Sequence, residues 1–191
     1  MRYTLAILQL ISALSGSSYA PPRPVVVFWG DSIMARWNVT RAFPQWNTVN
    51  AGVGGQTSAE VLARWQSDVA PHSPAVIVIE VGINDLYDSN TANDVTLANV
   101  QTMIDLVRSV GATPVLCGLV PVTAGWHMHF DPAALATLHE RLRALAAADG
   151  VAFADYYAAL TPNQTSDGLH PNAAGYAVIV AALAERIAAA F

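Results

Sequence analysis

Five short runs punctuate the sequence, at residues 25–29, 48–51, 75–81, 113–119 and 151–154, and all but the short 48–51 are largely apolar without strict apolar–polar alternation. A strand wetted on one face alternates with period two, whereas a strand covered on both faces can be apolar throughout. The stretches between the runs carry helical signals. Thr57-Ser58-Ala59-Glu60 reads as a cap with an early acid, followed by Val61, Leu62 and Trp65 at helical spacing. Residues 94–110 place Val95, Leu97, Val100, Ile104 and Val107 on a helical pattern. Asp131-Pro132 opens a further helix that runs through Leu135, Leu138, Leu142 and Leu145 to Gly150, and residues 172–190 form the last. Strand and helix in alternation imply right-handed crossovers and an open parallel sheet with helices on both faces, an α/β three-layer sandwich.

Composition narrows the function classes. The 191 residues include nine Arg and no Lys, and the formal net charge is −5. An acidic balance without a basic run argues against nucleic acid or an anionic membrane as main partner. The 53% hydrophobic content with only 12% charged residues excludes disorder for the bulk of the chain. The single Cys117 excludes an internal disulfide framework and a cysteine-based zinc site, and its apolar surroundings read it as a buried small hydrophobe.

Residues 1–20 read separately from the rest. Arg2, an apolar stretch to Leu14 and the small residues up to Ser18-Tyr19-Ala20 make the pattern of a secretory signal peptide, too short in its apolar part to span a bilayer comfortably. The expectation is a single domain over 21–191, secreted or periplasmic and without stable membrane anchoring.

In open parallel sheets, sites form outside the carboxyl ends of the strands. Four polar motifs fall at such positions here: Gly30-Asp31-Ser32-Ile33, Asn50-Ala51-Gly52-Val53-Gly54-Gly55, Gly82-Ile83-Asn84-Asp85, and Asp167-Gly168-Leu169-His170 before the final helix. They supply a hydroxyl, a glycine-rich loop, a carboxamide, a carboxylate and an imidazole, the groups needed for acyl transfer through serine. A serine hydroxyl needs a base, and an imidazole is suited to that work. His170 is the candidate base for Ser32, with Asp167, three residues earlier, orienting the ring across Gly168. An oxyanion needs donors already aimed at it; the Ser32 N–H, a glycine N–H from Gly54 or Gly55, and the Asn84 amide are the candidates.

The ordered set of four blocks closely resembles the SGNH hydrolases, or GDSL esterases and lipases. The resemblance covers residues 30–171, with Ile33 in place of the family's Leu as the visible departure. It implies a flavodoxin-like fold around a central five-stranded parallel sheet. It also implies Ser32 as nucleophile, His170 as base, Asp167 as its partner, and Ser32, Gly55 and Asn84 as oxyanion hole. The implied activity is hydrolysis of carboxylic oxygen esters without a cofactor. A short chain with no room for a large lid suggests small or short-chain acyl groups on a small-molecule or carbohydrate ester. A binding module on the same fold, recognising a glycan or lipid without turnover, is the reading from another class.

Several residues read as bystanders. Asp31 and Asp85 are expected to satisfy backbone donors, and His139 to lie on a helix surface. Trp126 and His127, in the run Trp126-His127-Met128-His129-Phe130-Asp131, are read as a substrate wall in preference to a metal site, with Trp37 and Tyr87 as further wall or core candidates.

Overall fold

A computed structural model describes residues 22–87, 93–123 and 131–191. The segments 1–21, 88–92 and 124–130 lie outside the described residues, and with them the leader-like stretch and the expected wall residues Trp126 and His127.

The five apolar runs are five strands: β1 (Val25–Gly30), β2 (Asn47–Gly52), β3 (Val76–Glu80), β4 (Thr113–Cys117) and β5 (Ala152–Ala154). They form one sheet in the order β2-β1-β3-β4-β5, every pair parallel. Val26, Val27, Phe28 and Trp29 of β1 and Val76, Ile77, Val78 and Ile79 of β3 are fully buried. These two central strands are covered on both faces, which is why their sequence does not alternate. Each such side chain removed from water contributes roughly 1.5–3 kcal/mol before chain entropy is counted.

The helices are α1 (Ser32–Ala35), α2 (Val39–Ala42), α3 (Ser58–Ala63), α4 (Ile83–Tyr87), α5 (Asn93–Ser109), α6 (Pro132–Asp149) and α7 (Ala173–Ala188). Helices α3, α5 and α6 pack on one another, while α1, α2 and α7 meet through the aromatic cluster of Trp37, Phe43 and Tyr176. Their ends follow the sequence signals. Thr57 and Glu60 form a reciprocal capping box at α3. Asp131 accepts from Ala133 N at α6, whose Gly150 terminus adopts the left-handed conformation. Trp37 is core: it is 6% exposed and stacks on Tyr176 at 5.2 Å between ring centroids.

His139 corrects the sequence expectation. It faces inward from α6 and is 3% exposed. Its Nδ1 accepts the Leu119 N–H at 3.3 Å, and its ring stacks on Tyr157 at 4.4 Å. The helical pattern of leucines marked the buried stripe, but a histidine beside Leu138 can also enter that stripe when a backbone donor awaits it.

Among the described residues, no helix is long and apolar enough to cross a membrane.

Candidate active site

Chain reversal at the end of β1 begins with Asp31, which is fully buried and caps α1 by accepting the Ile33 N–H at 2.9 Å. Ser32 is therefore the first residue of α1, on the sheet's carboxyl edge, with 8% of its surface exposed. Its backbone N–H belongs to the helical first turn, where no intrahelical acceptor exists.

His170 reaches the same point from the far end of the chain. The segment before α7 folds into a tight loop: Ser166 N donates to His170 O at 2.8 Å, and Thr165 bridges to Pro171. Gly168 has φ of +94°, a region that side-chain-bearing residues rarely adopt, and its carbonyl accepts the Thr123 N–H at 2.8 Å. This turn brings Asp167 back under the imidazole. Asp167 Oδ2 lies 2.7 Å from His170 Nδ1, and His170 Nε2 lies 2.9 Å from Ser32 Oγ.

Asp167 is held ionised. Burial raises its pKa, but hydrogen bonds from the His170 backbone, the His170 ring and the Leu169 backbone outweigh that and bring it down to about 2. Arg36 adds a cation, with Nη1 3.3 Å from Asp167 Oδ2. A carboxylate bonded to Nδ1 favours the tautomer whose Nε2 has a lone pair for the serine proton.

Asn84 stands in the first turn of α4, beyond β3. Its Nδ2 donates to Gln56 O at 2.9 Å and to Asp31 Oδ2 at 3.1 Å. Gly54 and Gly55 turn beside Ser32 after β2, and both line the cleft. The cleft measures about 710 Å³. Ser32, His170 and Asn84 form its polar side, and Ala35, Ile83, Tyr87 and Leu169 its apolar side. Ser32, Gly55, Asn84, Asp167 and His170 are thus gathered at one edge of the sheet. Asp31 and Asp85 have the structural partners expected of them: Asp85 accepts from Ser58 N at 2.8 Å, the Ser58 hydroxyl and Thr96 Oγ1 at 3.0 Å.

Four supporting residues escaped the sequence reading. Asn50 Nδ2 donates to Met34 O at 2.7 Å and Trp37 O at 2.9 Å, while its Oδ1 accepts from Gly52 N, which ties β2 to α1. Arg64 joins Gln56 Oε1, Ala51 O and Gly30 O, bracing three of the site's loops. Arg36 bonds Asp167, and Glu80 is buried beside Asp31. Asn50 carried a signal, since it sits inside the glycine-rich block; Arg64 carried none beyond being a charge just past the end of α3.

The model of the GDSL-like lipase/acylhydrolase family matches residues 28–178. The chain belongs to this family. Solved relatives share the architecture. One, a Bacteroides fragilis protein assigned as an acylhydrolase, is 30% identical, with a TM-score of 0.80 over 93% of this chain and 94% of its own. A GDSL-like lipase from Bacteroides thetaiotaomicron is 29% identical, with a TM-score of 0.81 over 95% and 98%. The acetylxylan esterase Axe2 from Geobacillus stearothermophilus, at 19% identity and a TM-score of 0.72 over 88% and 95%, is similar in fold. No protein of curated function matches the sequence.

Proposed function

We propose that this GDSL-family chain is a serine esterase acting on carboxylic oxygen esters with small or short-chain acyl groups. The observation that carries the reading is the hydrogen-bonded line Asp167–His170–Ser32, with links of 2.7 and 2.9 Å, at the wall of an open cleft. In the proposed reaction, Ser32 Oγ attacks the ester carbonyl as its proton passes to His170 Nε2. The carbonyl oxygen becomes an oxyanion, received by the Ser32 and Gly55 N–H groups and the Asn84 amide. The intermediate collapses, and the alcohol leaves with the proton from His170. Water then gives its proton to His170 and its oxygen to the acyl carbon, releasing the acid and restoring Ser32. No step calls for a cofactor.

The cleft supports the choice of acyl group. Its apolar side is short, made of Ala35, Ile83, Tyr87 and Leu169, and suits an acetyl or short fatty acyl chain. Axe2, an acetylxylan esterase, shares the fold, which makes acetylated carbohydrate one alcohol class to include. The reading also places the enzyme outside the cytoplasm, on the pattern of residues 1–20; an N-terminus near residue 21 in exported protein supports it, and an intact leader overturns it.

The test is a series of chromogenic esters of rising acyl length, run beside acetylated sugars, with a serine-reactive phosphonate as label. Turnover should be greatest for the short acyl groups, and the adduct should map to Ser32. A folded sample that neither labels nor turns over any ester favours the binding module instead.

A further inference from the structure

Beneath the site lies a buried acid that the proposed reaction does not use. Glu80 ends β3, is fully buried, and neither of its carboxyl oxygens has a hydrogen-bond donor in the form of an N–H or hydroxyl. The β1–β3 register sets Glu80 opposite Gly30, so closely that a Cβ on residue 30 would lie 2.3 Å from Glu80 O. That approach brings the Glu80 carboxyl against the carboxyl of Asp31, also fully buried. Two ionised carboxylates in contact away from water repel strongly, whereas one proton between them gives the donor that Glu80 lacks.

Asp31 connects this pair to the cleft. Its Oδ1 accepts from Ile33 N at the start of the Ser32 helix, and its Oδ2 accepts from Asn84 Nδ2. The Asn84 amide has two N–H groups, and Gln56 O takes one of them. Both N–H groups thus already have acceptors, so an oxyanion must share one of them, and the longer of the two contacts, 3.1 Å, is the one to Asp31.

We propose that Glu80 is a positioning residue: by sharing a proton with Asp31 it fixes that carboxyl and limits its charge, so that Asp31 aims the Asn84 amide at the cleft without monopolising its N–H. The inference rests on the esterase reading of Asn84. Burial acts in the same direction, raising Asp31 to about 6 and Glu80 well above the usual carboxyl range. The titratable groups around the pair are themselves acids: Asp85 on α4, Cys117 at the end of β4, Tyr156 beyond β5 and Tyr176 on α7. Two cations act on the outer members, Arg186 on Cys117 and Arg36 on Tyr176. When the shared proton is lost at high pH, Asp31 becomes a stronger acceptor for the Asn84 N–H and places full charge beside the forming oxyanion, so kcat falls.

The experiment compares Glu80→Leu and Glu80→Gln in the full chain, using the best ester of the series. Leucine leaves the Asp31 carboxyl buried without the shared proton; kcat should drop on the order of tenfold or more, within the 10²–10³ cost of losing an oxyanion donor outright, with KM nearly unchanged. Glutamine donates an N–H that does not titrate; it should restore most of kcat and remove the alkaline fall. A folded Glu80→Leu protein with wild-type kcat overturns the proposal. So does a Glu80→Gln protein whose alkaline limb matches wild type, and this second variant decides the matter if the leucine protein does not fold. Failure of the esterase reading itself shows separately, as wild-type protein without turnover or as turnover that survives Ser32→Ala.

Discussion

Ser32 Oγ and His170 Nε2 stand 2.9 Å apart although 138 positions separate them along the chain. Groups that act as one unit in proton transfer lose their effect together. Ser32→Ala and His170→Ala should each lower kcat for ester hydrolysis by about 10⁴-fold or more, and the double variant should be no worse than either single one. Steady-state kinetics on folded variants checks this. Additive losses would show that the two residues act independently.

Asp167 links stability to acid. Its pKa is lowered from 3.8 to about 2 in the folded chain. The unfolded chain therefore binds the proton more readily, and the stability this group contributes is present above pH 3.8 and lost as pH falls through about 2. Denaturation midpoints measured from pH 5 downward should decline less steeply for Asp167→Asn than for wild type. The same variant should lose on the order of 10⁴ in kcat, because an amide can present the wrong partner to the ring nitrogen.

Gly30 is needed for the closeness of β1 and β3. Gly30→Ala would set its methyl 2.3 Å from Glu80 O and 3.0 Å from Met34 Cγ. Both are buried, and the first is backbone that the sheet register holds. The substitution should cost about 3 kcal/mol in urea unfolding. A midpoint equal to wild type would mean that β1 can move away from β3 freely.

His139 makes a second contribution to pH dependence. Burial lowers its pKa from 6.5, with Asp155 and Glu140 partly offsetting the effect. For a base lowered on folding, the stability it contributes is present above the unfolded value of about 6.5 and is lost as pH falls below it. Replacing it with leucine should flatten the stability curve between about pH 7 and 5. The same change strands the Leu119 N–H and should cost about 1–3 kcal/mol at neutral pH.

Much of this was legible in the residues, for identifiable reasons. The uninterrupted apolar character of Val25–Trp29 and Val76–Ile79 marked strands covered on both faces, and Thr57 with Glu60 marked a helix start. Three of the polar motifs follow strand ends, where a rule of sheet geometry gathers Ser32, Gly55 and Asn84, whereas the motif of His170 lies well beyond β5 and was matched to Ser32 by its chemistry and by the family resemblance. The supports were not legible. Glu80 closes an otherwise apolar strand, and only the register opposite Gly30 reveals that it meets Asp31. Arg64 braces three loops through partners as far as 34 positions away, a relationship with no local pattern. His139 failed the other way, because residue type suggested a surface and a single backbone N–H drew it inside.

The strand order has a temporal consequence. Among the described residues, β1 precedes the other strands in the chain yet lies in the interior of the sheet between β2 and β3, and the imidazole that faces Ser32 is borne far downstream, just ahead of α7. The serine turn can thus form on β1 and β2 before the imidazole is docked beside it. The same helix carries Tyr176, whose hydroxyl donates to Ile33 O beside that turn, so the docking of α7 both braces the serine turn and presents the imidazole to it.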